Sequence, residues 1–269
     1  MISLGGAERM SEQEPKAPDF EKMGRELIEK MRDRKEVPLH CRRCRKEWKP
    51  ETSPVEGQEP KPNWAGEDGF DWAICDPCGF EIAQEKSGIP ERYRGARLKD
   101  LTKEARAFAE RARKKGGYVW GTPGVGKSHL IAAVANVEIY ESRSAVPFTD
   151  WDLLKARWES ASRWSDGETR EQLLKRLTNA RIVFFDEFLS SKMTFSDQDE
   201  RIEFKLFVTK LVDLFYSRNR IVLFGGNLPL RAVMENLDQK VRDRIFQMIG
   251  GSEGYYEMKG HNRRTEGTK

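Results

Sequence analysis

Between Gly88 and Met248 the hydrophobic residues fall into two alternating textures. In one, apolar positions recur every three or four residues. Leu98, Leu101, Ala105, Phe108 and Ala112 do so, which predicts a helix over Leu98–Lys115. In the other, short unbroken apolar runs occur, at Gly117–Trp120, Ala145–Phe148, Arg181–Phe185 and Arg220–Phe224. A strand that is apolar at consecutive positions has no solvent face and must be covered on both sides. Helical texture fills the intervals: Ser128–Ser142, a helix capped by Asp150 and running through Trp158, Glu168–Ala180, the long Gln198–Ser217, and most of Leu230–Met248. Helix and strand alternate, so the expected fold class is α/β, a parallel sheet with helices on both faces.

Before Gly88 the texture changes. Residues 1–18 are polar and read as disordered. From Asp19 to Glu36, Phe20, Met23, Leu27 and Met31 mark one narrow apolar helix face with Asp19 as candidate N-cap. Such a helix either packs on its own domain or docks on a partner. Residues 37–87 hold all four cysteines, separated by a stretch rich in Pro, Gly and Glu that is expected to be loop. The expected organisation is a tail and amphipathic helix over 1–36, a small cysteine module over 37–87, and the α/β domain over 88–269, without internal repeats.

Composition narrows the class. Of 269 residues, 34% are charged and 38% hydrophobic, with a formal net charge of +4. This mild basicity permits nucleic-acid contact without demanding it. No apolar run approaches the roughly 18–20 residues of a membrane span. Met1–Pro18 lacks the apolar stretch of an export signal, so a cytoplasmic location is expected, in a bacterial or phage-infected cell. The cysteines form two Cys-x-x-Cys pairs, Cys41 with Cys44 and Cys75 with Cys78. Without an export signal this pattern reads as metal rather than disulfide. Each pair sets two thiolates on one ion, and four thiolates make a tetrahedral zinc site. Zinc would organise a segment too short and too polar to bury a core of its own. Around the first pair, Arg42, Arg43, Arg45, Lys46 and Lys49 surround Trp48, which suits single-stranded DNA or an acidic protein surface, and equally a solvated face.

The sharpest motif is Gly121-Thr122-Pro123-Gly124-Val125-Gly126-Lys127-Ser128, which fits G-x-x-x-x-G-K-[ST] between an expected strand and an expected helix. Glycines let the backbone curl until successive N–H groups point at phosphate oxygens, and the following helix offers its positive end to the same anion. Lys127 would bridge the β- and γ-phosphates, and the Ser128 hydroxyl would hold Mg²⁺. The apolar run from Ile182 ends in Asp186-Glu187. Asp186 would hold the magnesium, and Glu187 would orient and deprotonate the attacking water. The next apolar run ends in Gly225-Gly226-Asn227. If the two strands are neighbours, Asn227 would hold that water or contact the γ-phosphate.

In this order the motifs resemble the AAA+ ATPases, and within them the DnaC/DnaI-type helicase loaders and the related IstB transposition ATPases. The resemblance covers residues 88–249, about two thirds of the chain. Gly88 to Arg94 resembles the adenine-side segment of that group, which implies a base contact from Tyr93. The phosphate loop resembles theirs from Gly121 through Thr122, Pro123, Gly124, Val125, Gly126, Lys127 and Ser128 to His129. Asn227 matches the first sensor residue. Gln239 to Ile245 resembles the arginine-finger stretch, with Arg244 at the finger position, acting on the γ-phosphate of the neighbouring subunit. Arg242 and Arg244 lie about 200° apart around a helix, so they face different sides. The chain departs from the group at Gly225-Gly226, where Thr or Ser is usual, and at Gln239-Lys240, where Glu-Arg is usual. As in these loaders, the stretch after Met248 is too short for the helical lid of many AAA+ proteins. DnaI-like loaders similarly carry an N-terminal zinc-binding domain that contacts the helicase.

The resemblance implies an ATPase that assembles with ATP into a homo-oligomer and loads a replicative DNA helicase, with single-stranded DNA as a further partner and ATP, Mg²⁺ and Zn²⁺ as cofactors. Two other readings compete. An IstB-like transposition helper has the same core but normally a helical N-terminal domain without zinc. A zinc-ribbon DNA-binding adaptor would use its nucleotide only as a gate.

Overall fold

The computed structural model describes residues 39–40, 43–44, 47–48, 65–66, 69–70, 76–161, 168–189, 198–235 and 237–260. The expected tail and the amphipathic helix over Asp19–Glu36 lie outside the described residues. So do Cys41 and Cys75.

Five strands form one parallel sheet: β1 (Gly117–Trp120), β2 (Phe148–Asp150), β3 (Ile182–Asp186), β4 (Ile221–Gly226) and β5 (Tyr255–Glu257), in the order β2-β3-β4-β1-β5. Among the described residues eight α-helices accompany them: α1 (Asp76–Ser87), α2 (Lys103–Lys115), α3 (Lys127–Ser142), α4 (Trp151–Ser160), α5 (Arg170–Asn179), α6 (Gln198–Ser217), α7 (Leu230–Met234) and α8 (Gln239–Met248). Two short antiparallel pairs, Leu39–His40 with Glu47–Trp48 and Ala65–Gly66 with Gly69–Phe70, lie before α1.

The unbroken apolar runs are explained by alternation across a sheet covered twice. Val119, Ile182, Phe184 and Leu223 join α2 and α3 in one buried layer. Tyr118, Val183, Phe185, Val222 and Phe224 point the other way, into a layer closed by α4 to α8. The α/β class and most elements follow the sequence pattern, with corrections at their ends. The expected helix over Leu98–Lys115 breaks after a 3₁₀ turn at Leu98–Asp100. α2 starts afresh where Thr102 accepts the Ala105 N–H at 3.3 Å. The strand expected at Ala145–Phe148 is shifted to Phe148–Asp150, because it pairs with β3 in the register Phe148↔Phe184 and Asp150↔Asp186. Leu230–Met248 is mostly helical as expected, divided between α7 and α8. β5 was not expected from its pattern. It is an edge strand of three residues, and the Met258 N–H donates to Trp120 O at 2.7 Å beside the phosphate loop.

Helix α1, from the cysteine-bearing region, packs on α3. Cys78 is buried in its first turns, and Gln84 and Ser87 are buried further along.

Candidate nucleotide-binding site

The site lies at the carboxyl ends of the strands, beside the point where chain order reverses between β1 and β4, the usual crevice of open α/β sheets. The phosphate loop leaves β1 and enters α3. Gly126 caps α3 at φ 109°, in the left-handed region that costs glycine little. Lys127 is buried, and its Nζ donates to Gly121 O at 3.0 Å and Thr122 O at 3.1 Å. A cavity of about 210 Å³ is lined by Tyr93, Pro123, Gly124, Gly126, Lys127, Ser128, His129 and Glu187. The loop, Tyr93 and Glu187, far apart in sequence, thus share one cavity. The loop residues Gly121, Thr122 and Val125 complete the turn without lining it.

Asp186 ends β3 at 8% exposure. Ser128 lies beside the Asp186 carboxylate, and the two residues line a cavity together with Glu187, which joins the two halves of the site. Burial is the main cause that pushes the Asp186 carboxyl above its ordinary value, and the charges of Glu187 and Asp150 add to it. The nearby Ser128 hydroxyl and the Glu187 N–H, which donates at 3.1 Å, oppose it. A buried carboxylate beside a hydroxyl, both hard oxygen donors, fits Mg²⁺. Glu187 follows at φ 55°, a conformation L-residues seldom adopt and which clusters at functional sites. Its carboxylate accepts Asn227 Nδ2 at 2.5 Å. β3 and β4 are indeed neighbours, but Asn227 meets Glu187 rather than Asp186.

The departure at Gly225-Gly226 has a steric reason. A Cβ on Gly226 would stand 2.3 Å from the Tyr118 hydroxyl, and one on Gly225 2.3 Å from Ile131 Cδ1. The Tyr118 hydroxyl donates to Leu228 O at 2.7 Å and so fixes the turn that carries Asn227.

Arg244 is not in this cavity. Its guanidinium pairs with Asp213 of α6 and lies 5.1 Å over the Tyr216 ring, and Lys240 approaches the same carboxylate at 3.6 Å. Arg242 faces away from that pair, into a groove lined by Leu230, Met234, Phe246 and Tyr255. Of the cysteines, Cys44 is half-buried and Cys78 buried. Among the described residues no cluster of three or more metal-ligating side chains forms. Arg43, next to Cys44, lies 3.4 Å from both Glu81 and Glu85 of α1, the helix bearing Cys78. Asp150 caps α4 as expected, through bonds from the Asp152 and Leu153 N–H groups, but nothing in the sequence pattern signals that its charge acts on Asp186. Reading the sequence also missed Asn136, whose only signal is a lone amide within an apolar helical stripe.

A glycine-rich phosphate loop between strand and helix, with a serine–aspartate pair and an adjoining glutamate, defines a P-loop nucleotide-binding protein of the α/β class. The family of viral superfamily 1 RNA helicase core domains matches over residues 117–206, about a third of the chain, a span that contains the loop and the Asp186-Glu187 pair. The replicative helicase loader DnaC of Buchnera aphidicola subsp. Baizongia pistaciae is 30% identical over 125 residues, covering 46% of this chain and 48% of that protein. The DnaC loader of Escherichia coli K12 is 28% identical over 125 residues, covering 46% and 47%. Among solved structures, that of DnaI is 21% identical, covers 65% of this chain and 94% of that one, and superposes with a TM-score of 0.49. The two DnaC relatives bear out the resemblance to DnaC-type AAA+ loaders. The chain spans about half the length of the curated relatives it matches.

Proposed function

We propose that this protein is an ATP-dependent loader of a replicative DNA helicase, acting in the cytoplasm. The observation that carries the ATPase half is the joined site: Ser128 beside Asp186 in one cavity with Glu187, Asn227 bonded to Glu187, and Lys127 with Ser128 and Glu187 in the adjoining cavity. The names of the DnaC relatives support the loader half.

The loop N–H groups and the α3 N-terminus would bind the phosphates, and Lys127 would exchange its bonds to Gly121 O and Thr122 O for β,γ-oxygens. Ser128 and Asp186 would hold Mg²⁺, which supplies charge neutralisation at the γ-phosphate when bound. Glu187 takes the proton of the attacking water, and Asn227 orients that carboxylate. Arg244 reaches the γ-phosphate of a neighbouring copy, so hydrolysis falls between subunits of an ATP-dependent homo-oligomer. Cys41, Cys44, Cys75 and Cys78 hold one zinc ion in the module that meets the helicase. The approach of Arg43 to α1 supports this grouping. Single-stranded DNA is the second partner.

The test is association of the purified protein with the replicative helicase of its host. Complex formation with ATP, and helicase transfer to single-stranded DNA, are expected. Turnover without any helicase complex would instead favour a transposition helper. A nucleotide-bound protein without turnover would favour the DNA-binding adaptor.

A further inference from the structure

Two buried amides stand apart from the chemistry described so far. Gln84 of α1 is 4% exposed and Asn136 of α3 is 7% exposed. Gln84 Nε2 donates to Asn136 Oδ1 at 2.7 Å and to Arg94 O at 2.8 Å. Asn136 Nδ2 donates to Ala96 O at 2.9 Å and to Arg94 O at 3.1 Å. Around Asn136, α3 buries apolar side chains from Leu130 to Ala135 and again at Ile139, while Glu138, also buried, is paired with Arg113 and Arg181. Burying an amide there costs desolvation that an alanine or leucine would avoid, and the bonds it makes return little net stability. What the bonds do supply is position.

The position they fix is that of Tyr93. The turn over 90–96 is held internally by local bonds, Tyr93 N–H to Pro90 O, Arg94 N–H to Glu91 O and Ala96 N–H to Tyr93 O. Local bonds of this kind shape a turn but do not anchor it to the body. The backbone carbonyls of Arg94 and Ala96 are instead gripped by the two amides. Tyr93 precedes them directly and lines the cavity with Lys127 and Ser128. Asn136 sits on the same helix that begins at Lys127. One rigid element therefore carries the phosphate-binding end at its first turn and, through Asn136, holds the turn bearing the tyrosine that lines the same cavity.

We infer that Gln84 and Asn136 are positioning residues for the base of the bound nucleotide: they set Tyr93 against the phosphate loop and give the site its preference for a nucleoside over a bare triphosphate. The inference rests on the nucleotide-binding reading of the site. Asn136→Ala releases the Ala96 carbonyl and removes one of the two donors to the Arg94 carbonyl, and Gln84→Met removes only the other donor to Arg94, at similar length.

The experiment measures affinity for ATP and for inorganic triphosphate, each with magnesium, in the wild type, Asn136→Ala and Gln84→Met, alongside KM and kcat for ATP and the melting temperature. The wild type is expected to bind ATP more tightly than triphosphate. Asn136→Ala should weaken ATP by roughly tenfold, the equivalent of losing one to two such bonds, leave triphosphate affinity unchanged, and raise KM with little change in kcat. Gln84→Met should shift the same way by less, and it decides the matter if Asn136→Ala does not fold. Equal weakening of ATP and triphosphate in the folded variants would mean the amides only hold the fold, and would overturn the inference. A wild type that binds both ligands equally would overturn it while leaving the phosphate site standing. A wild type that binds neither would remove the nucleotide-binding reading itself, and the inference with it.

Discussion

Asn227 donates its side-chain N–H to Glu187 at 2.5 Å, across the tips of two neighbouring strands. The contact joins the carboxylate that would activate water to a turn otherwise fixed by the Tyr118 hydroxyl. Glu187→Gln is expected to bind ATP normally and to lose about 10²–10⁴ in turnover, the usual worth of a general base. Asn227→Ala, which frees the carboxylate without removing it, should lose less. Single-turnover hydrolysis with separate binding measurements checks both, and normal turnover by Glu187→Gln would reassign the base.

Asp186 is buried beside two further carboxylates, and its carboxyl is pushed above the ordinary 3.8. With the folded value raised, this group favours the fold below the ordinary carboxyl range. That contribution is lost as pH rises through the folded value. Asp186→Asn should therefore melt higher than the wild type at neutral pH in the presence of a chelator, and the difference should shrink as pH falls toward the ordinary range. The same variant should lose magnesium-dependent ATP binding. Thermal melts across pH, with and without magnesium, check the pair of effects, and a variant that melts lower at neutral pH would contradict the assignment.

Arg244 is held by Asp213 within its own chain, while Arg242 opens into a groove on the other side of α8. Arg244→Ala should keep ATP affinity and lose turnover, by up to the roughly 10³–10⁵ that such fingers contribute in GTPases. Lys127→Ala should fail to bind ATP. Mixing the two inactive proteins should restore part of the activity, because one supplies an intact phosphate loop and the other the arginine. Arg242→Ala should do much less. No recovery on mixing would place hydrolysis within single subunits.

Protein purified without added metal should carry one zinc per chain, and Cys75→Ser should release it while ATP binding persists. Atomic emission and thiol titration check this. A stoichiometry near zero with four titratable thiols would remove the zinc module.

The phosphate loop, the strand ending in Asp186-Glu187 and the alternation of helix and strand were legible in the sequence, because each is dictated over a short span. A backbone that must wrap phosphates needs glycines at fixed spacing, and a strand buried on both faces must be apolar at consecutive positions. Element ends were less legible. Phe148–Asp150 is a strand because of its register with β3, and Tyr255–Glu257 because β1 offers an edge, so neither carries enough local signal to be seen alone. Partners were decided by the tertiary structure only. Asn227 faces Glu187 rather than Asp186, Arg244 finds Asp213, and Gln84 meets Asn136, each pair separated by tens of residues. A local pattern fixes what a side chain is able to do. Which group it meets depends on how sheet register and helix packing close the chain on itself, and those are settled by burying both faces of the sheet at once.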